Sequence, residues 1–214
     1  SSRLGKGDFF VIEGDEYDTA FFDKGSKFLH YRPEYLILNN VEWEHVDIFP
    51  SIEEVYETFS KLIRQVNDPK KIIANVDDKG VVTLLTRLDL LDKVTQISTQ
   101  GKTSDAQLIL QDSRMKREGI TELTVQNFPH ADETYTLETS LLGEFNLANI
   151  LQVLGLLSVL WAEKPGAFSL GKLHKALTEF RGAKKRQEFL GQYNGALVYT
   201  DFAHHPTAVH KTIE

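Results

Sequence analysis

Glu13, Asp15, Glu16 and Asp18 follow directly on the apolar run Phe9-Phe-Val-Ile12. A second polar group, Glu42, Glu44, His45 and Asp47, follows the apolar stretch Tyr35–Asn39 in the same way. Carboxylates with one imidazole are hard oxygen donors plus a nitrogen. That set suits Mg2+ or Mn2+, with a bound phosphate completing the coordination. The chain has no cysteine and no His-Glu-x-x-His spacing, so the usual zinc sites are excluded. The competing reading is a pair of solvated acidic loops with a hydrogen-bonded histidine. Spacing alone leaves both open.

Three further groups have chemical potential. Asn146 and Asn149 stand three apart near the start of an apolar helix, so they share a face beside its positive end. Two amides there suit a nucleobase, ribose or phosphate; the alternative is that one of them caps the helix. Arg186, in Lys184-Lys-Arg-Gln-Glu188, suits a phosphate; the alternative is a solvated linker. Asp201, in Thr200-Asp-Phe-Ala-His-His-Pro206, suits a ribose hydroxyl, with His204 or His205 nearby; the alternative is a strand-end turn with Asp as helix cap. Gly101-Lys-Thr103 imitates the end of a phosphate-binding loop. Gln96 stands where that motif needs its first glycine, so the stretch is expected to be a surface turn.

The elements that must position these residues alternate. Asp8–Glu13 and Tyr35–Asn39 have the pattern of buried strands. Ser51-Ile-Glu-Glu54 is a capping box that opens an amphipathic helix, and Asn67-Asp-Pro69 closes it. Lys71–Asn75 is a strand, Asp77–Gly80 a turn, Val81–Leu91 a helix and Lys93–Ile97 a strand. Strands alternating with helices imply a parallel sheet with crossover helices, whose ligands bind beyond the carboxyl ends of the strands. The pattern then changes to shorter strands at Ala106–Met115, Thr121–Asn127 and Thr134–Thr139, as in an antiparallel sheet. Helices follow at Glu144–Trp161 and Leu170–Phe180. A basic linker, Arg181–Arg186, leads into two strands, Arg186–Gln192 and Ala196–Thr200, and a helix start.

The chain has 214 residues, 41% of them hydrophobic, and a formal net charge of -7. That charge argues against general nucleic-acid or membrane-surface binding. The absence of cysteine fits a reducing compartment. The most apolar region, Phe145–Ala162, is interrupted by Asn146, Asn149 and Gln152, and its clean part is short of the ~20 residues a membrane span needs. Both termini are abrupt, with no initiator Met, which suggests a fragment.

The order of the motifs resembles the Mur ligase family, the ATP-dependent amide-forming ligases of peptidoglycan synthesis. The matching pieces are Glu13-Gly-Asp-Glu-Tyr-Asp18, Asn39-Asn-Val-Glu-Trp-Glu-His45, Gly143-x-x-Asn146-x-x-Asn149, Arg186 and Asp201-x-x-His-His-Pro206. The stretches Asp15–Lys24, Ser26–Pro33 and Asp47-Ile-Phe49 look most like one branch. That branch joins UDP-N-acetylmuramate to the murein tripeptide L-Ala-γ-D-Glu-meso-diaminopimelate in cell-wall recycling. The L-alanine-adding branch is the close alternative. A non-catalytic Mur-like binding module and a folate-type ligase are the others.

The resemblance implies an α/β fold. It implies residues 1–183 as part of a central ATP-binding domain, with a mostly parallel sheet, flanking helices and a small antiparallel sheet. Residues 184–214 would begin a Rossmann-like C-terminal ligase domain. It also implies that Glu13 holds the Mg2+ that bridges the ATP phosphates, that His45 ligates a second Mg2+ near the acyl phosphate, and that Asn146 and Asn149 contact ATP. Arg186 would meet the phosphates and Asp201 the ribose. The catalytic residues implied are Glu13, His45 and Arg186. A cytoplasmic enzyme without nucleic-acid or membrane partners is expected. The family's UDP-sugar domain and phosphate loop, which precede the Glu13 motif, are not in the chain, so weak ATP binding and no turnover are expected of this segment alone. Lys61 stands one position away from a lysine that some branches carbamylate, and no role is assigned to it.

Overall fold

The computed structural model describes residues 5–103, 105–117, 119–129, 134–166, 168–204 and 206–213. Ser1–Leu4, His205 and Glu214, which entered the sequence reading, lie outside the described residues. The chain divides into two compact units. One comprises Ser1–Glu34 and Glu42–Asn67, the other Tyr35–Val41 and Asp68–Glu214.

The first unit holds a hairpin of β1 (Asp18–Ala20) and β2 (Asp23–Ser26), a 3-10 turn at Lys27–His30 and helix α1 (Ile52–Ile63). Ser51 caps α1 by accepting from the Glu54 N–H, and Val55, Leu62 and Ile63 form its buried face. Phe28 meets Phe59 edge-on at 5.2 Å. The Gln65 amide donates to the Leu29 carbonyl at 2.8 Å, tying the end of α1 to the 3-10 turn. The strand expected over Asp8–Glu13 does not form. Phe10 is 75% and Val11 87% exposed, and the segment is irregular. An extended segment becomes a strand only by hydrogen bonding to a neighbour. Among the described residues this segment joins no sheet. The β1–β2 hairpin escaped the sequence reading because its turn is Phe21-Phe22, without the Gly or Asn that marks most tight hairpins.

The second unit is built on one six-stranded sheet in the order β3-β4-β5-β6-β7-β8. These strands are Leu36–Leu38, Ile72–Asn75, Thr95–Ser98, Leu108–Arg117, Ile120–Gln126 and Thr134–Thr139. β3 to β6 run parallel, and β6 to β8 antiparallel. The small antiparallel part expected from the sequence forms, and it continues the parallel strands in one sheet. Helix α2 (Lys79–Arg87) crosses from β4 to β5. Helices α3 (Glu144–Glu163) and α4 (Leu170–Glu179) follow the sheet.

Ile73, Ile97, Leu108, Leu123, Val125 and Leu137 of the strands pack with Leu147, Leu151, Leu154 and Trp161 of α3 in one core. By length and composition alone α3 could cross a membrane, and it is longer than its uninterrupted apolar stretch suggested. Its packing shows a core helix. A Cβ added at Gly155 would lie 2.9 Å from Ile73 Cγ2 and 3.0 Å from Ile97 Cγ2, so the missing side chain lets α3 approach the sheet.

Strands β9 (Glu188–Tyr193) and β10 (Ala196–Thr200) form a hairpin closed by Asn194-Gly195, both at positive φ as a two-residue primed turn demands. Helix α5 (Pro206–Ile213) starts on proline, which lacks the N–H that would be orphaned there.

Candidate functional site

Glu13 is exposed, and among the described residues its carboxylate has no hydrogen bond or ion pair. The neighbouring acids differ. Asp15 accepts from the Tyr17 N–H at 2.9 Å and pairs with Lys27 at 2.8 Å. The Lys27 hydrogen bond holds the Asp15 carboxyl below the usual carboxylate range. Asp18 pairs with Lys24, and Asp23 with His30. Glu16 is half-buried, and that burial pushes its carboxyl up. The cluster thus divides into acids paired within the first unit, Asp15 and Asp18, and acids without a side-chain partner among the described residues, Glu13 and Glu16.

His45 lies in the same unit, with its ring 4.6 Å from the Tyr17 ring, edge to face. Asp15, Glu16 and Glu44 surround this region closely enough that His45 acts electrostatically on Asp15 and Glu16, and Glu44 on Glu16. The His45 backbone is held at φ 52, a left-handed conformation that costs a non-glycine residue about 1 kcal/mol or more. Its carbonyl accepts from both Ile48 and Phe49 N–H at 2.9 Å, and the Trp43 indole donates to the Phe49 carbonyl at 2.9 Å. One imidazole among carboxylates is a donor set that fits Mg2+ or Mn2+. Among the described residues, no three His, Asp or Glu side chains converge tightly enough to hold an ion.

In the second unit α3 begins at Gly143, at φ 81 and with no side-chain cap. Neither asparagine is its N-cap. Asn146 donates to the Leu142 carbonyl at 2.7 Å, while Asn149 is exposed and without a hydrogen-bonding partner among the described residues. The sequence reading passed over a third amide at the same spacing. Gln152 is 2% exposed and donates to Asn39 Oδ1 at 2.6 Å, linking the asparagine face of α3 to the carboxyl end of β3. The repeated three-residue step from Asn146 to Gln152 was the available signal.

The linker and the C-terminal hairpin meet the start of α3. A Cβ on Gly143 would be 3.2 Å from Gln187 Oε1, and Ser140 donates to the Phe180 carbonyl at 3.1 Å. Asp201 accepts from the Gln187 N–H at 2.8 Å and from the Ala203 N–H at 2.7 Å, the contacts of a strand-end turn. Arg186 is exposed, with its guanidinium 5.8 Å from the Phe202 ring centre. Arg186 and Asp201 therefore share one corner with the N-terminal end of α3.

Gly101-Lys-Thr103 lies in the bend between β5 and β6, with no helix after it, so it lacks the helix N-terminus a phosphate loop needs. Asp77, expected only as part of a turn, organises that bend. Its carboxylate accepts from Ser98 at 3.0 Å and from the Gln100 N–H at 2.8 Å.

A mixed sheet flanked by helices defines an α/β fold, and residues 3–157 match the Mur ligase middle domain. The chain belongs to the Mur ligase family, whose members are ATP-dependent ligases. Over its whole length it is 35% identical to the UDP-N-acetylmuramate–L-alanyl-gamma-D-glutamyl-meso-2,6-diaminoheptandioate ligase of Escherichia coli K12, of which it covers 43%. It is 29% identical, over 98% of its length, to the UDP-N-acetylmuramate–L-alanine ligase of Caldicellulosiruptor bescii, of which it covers 42%. The crystal structure of a murein peptide ligase from Psychrobacter arcticus matches all of this chain and 42% of its own, with a TM-score of 0.62 and 28% identity. The chain thus spans less than half the length of these relatives.

Proposed function

We propose that this chain is the central ATP-binding region, with the start of the C-terminal domain from residue 184, of a cytoplasmic ADP-forming amide ligase. The reaction joins the muramyl carboxylate of UDP-N-acetylmuramate to the amine of L-Ala-γ-D-Glu-meso-diaminopimelate through an acyl phosphate. The observation that carries the substrate choice is the whole-chain likeness at 35% to the tripeptide ligase, against 29% to the alanine ligase.

The geometry supports a division of labour. Glu13, with its carboxylate unpaired among the described residues, would hold one Mg2+, and His45, among carboxylates, a second. Those ions would supply positive charge where ATP and the substrate carboxylate bring anions together. Asn149, exposed on the first turns of α3, donates to the nucleotide, and Asn146 fixes the backbone that precedes the helix. Arg186 offsets charge on the phosphates with a fork that matches their oxygens. Asp201 holds the Arg186–Gln187 segment in place and has lone pairs left for a ribose hydroxyl.

The test is ADP release by the full-length parent protein with UDP-N-acetylmuramate, Mg2+ and either the tripeptide or L-alanine. Turnover with the tripeptide alone is expected. Turnover with alanine alone overturns the substrate, and silence with both overturns the reading as an active ligase. Asn149→Ala is expected to raise the KM for ATP about tenfold, the loss of roughly one hydrogen bond to a charged ligand.

A further inference from the structure

Gln152 is a buried amide on α3, and its Nε2 donates to Asn39 Oδ1 at 2.6 Å. Its own Oε1 is buried without a partner among the described residues, so the residue destabilises the core in which it sits. The link still does something an apolar side chain could not. It occupies the acceptor end of the Asn39 amide. Oδ1 and Nδ2 leave the amide carbon in different directions, so holding Oδ1 against α3 turns Nδ2 away from the helix. Asn39 is exposed, and among the described residues its Nδ2 has no acceptor. The side chain is thereby presented to solvent as a pure donor.

Its place in the fold suits a ligand. Asn39 directly follows β3, whose last pair with β4, Leu38 with Ala74, is parallel. Ligands of parallel α/β sheets bind beyond that end of the strands. Gln152 follows Asn149 by three positions on α3, so the two are neighbours on the helix surface. Asn149 is itself exposed and without a hydrogen-bonding partner among the described residues. Asn39, Asn149 and Gln152 all belong to the second compact unit.

We propose that Asn39 is a further nucleotide-binding residue, donating from Nδ2 to a phosphate oxygen, and that Gln152 is the positioning residue that decides which end of its amide faces the ligand. This rests on the reading of the α3 asparagine face as part of the nucleotide site. Ionised phosphate oxygens accept hydrogen bonds and donate none, whereas base and ribose do both, so a donor-only group matches the phosphates. Without Gln152 the amide rotates freely, and its oxygen can turn toward the phosphate and repel it.

The test uses the full-length parent protein with Mg2+, titrated with the β,γ-imido analogue of ATP and, by competition, with adenosine. Asn39→Ala is expected to weaken the analogue about tenfold, the loss of one hydrogen bond to a charged ligand, and to leave adenosine unchanged. Asn39→Asp, of the same size but with a negative charge and no donor, is expected to weaken the analogue further. Gln152→Leu is expected to weaken it about threefold through lost preorganisation while raising Tm, a combination that a merely structural role does not produce. On Asn39→Ala, Gln152→Leu is expected to add nothing, because the group it positions is gone. Unchanged analogue affinity in Asn39→Ala overturns the proposal, and equal weakening of adenosine overturns the phosphate assignment. An effect of Gln152→Leu that persists on Asn39→Ala overturns the positioning role. Asn149→Ala, titrated alongside, separates the two readings: unchanged affinity there removes the nucleotide role of the α3 face, whatever Asn39 shows.

Discussion

Replacing Gln152 by leucine is expected to stabilise the chain, although it removes a hydrogen bond. Gln152 is 2% exposed, its Nε2 donates to Asn39 at 2.6 Å, and its Oε1 is buried without a partner among the described residues. Losing the bond costs about 1 kcal/mol, since Asn39 is exposed and its freed oxygen passes to water. Removing the orphaned carbonyl returns about 1–3 kcal/mol, and a leucine of similar size adds apolar burial at a position 2% exposed. The net expectation is about 1–2 kcal/mol in favour of Gln152→Leu, or roughly 2–8 °C in Tm at about 2–4 °C per kcal/mol for a chain of this size. Urea unfolding followed by the fluorescence of Trp161, which lies in the same core at 9% exposure, measures it. A variant less stable than the parent by about 1 kcal/mol refutes the reasoning, because the carbonyl must then have been satisfied.

Two more outcomes follow from the same sheet. Leu154, fully buried in the core between α3 and the strands, is expected to cost about 2–5 kcal/mol as Leu154→Ala, read by the same unfolding assay. Glu122 on β7 is held below the usual carboxylate range by Arg114 and then by Lys116, which also reaches Glu138 on β8. With the folded pKa depressed, this pairing stabilises above the unfolded carboxylate range, near pH 4.3, and is lost as pH falls through the folded value. Glu122→Gln should therefore flatten the acid limb of the stability–pH curve, and a limb of unchanged steepness would count against the pairing.

Local signals carried much of the architecture. The strand expected at Thr134–Thr139 forms over those residues, and Ser51 caps α1 through the Glu54 N–H that the capping box specifies. Asn194-Gly195 closes a hairpin between the two segments expected as strands after the basic linker. Such features depend on residues a few positions apart, so the order of residues is enough to specify them. Glu13, His45, Asn146, Asn149, Arg186 and Asp201 were legible as residue types in a motif order, while their spacing alone left solvated loops, a helix cap and a linker as alternatives.

Other features depended on neighbours distant in the chain. Phe9–Ile12 has the composition of a buried strand, but strand status belongs to a pair of segments, and among the described residues it joins no sheet. Asp77 and Asp78 had the composition of an ordinary turn. Their partners Ser98, Gln100 and Val41 lie 21, 23 and 37 positions away. Gln152 looked like an interruption in an apolar helix until Asn39, 113 positions earlier, supplied its acceptor. The sequence by itself determined the helices, most of the strands and which side chains carry carboxylate, imidazole and amide groups, because those follow from periodicity and residue type. Only the tertiary structure decided which carboxylates pair with lysines and backbone N–H groups and where a missing Cβ lets a helix approach the sheet, because each depends on distances across the fold.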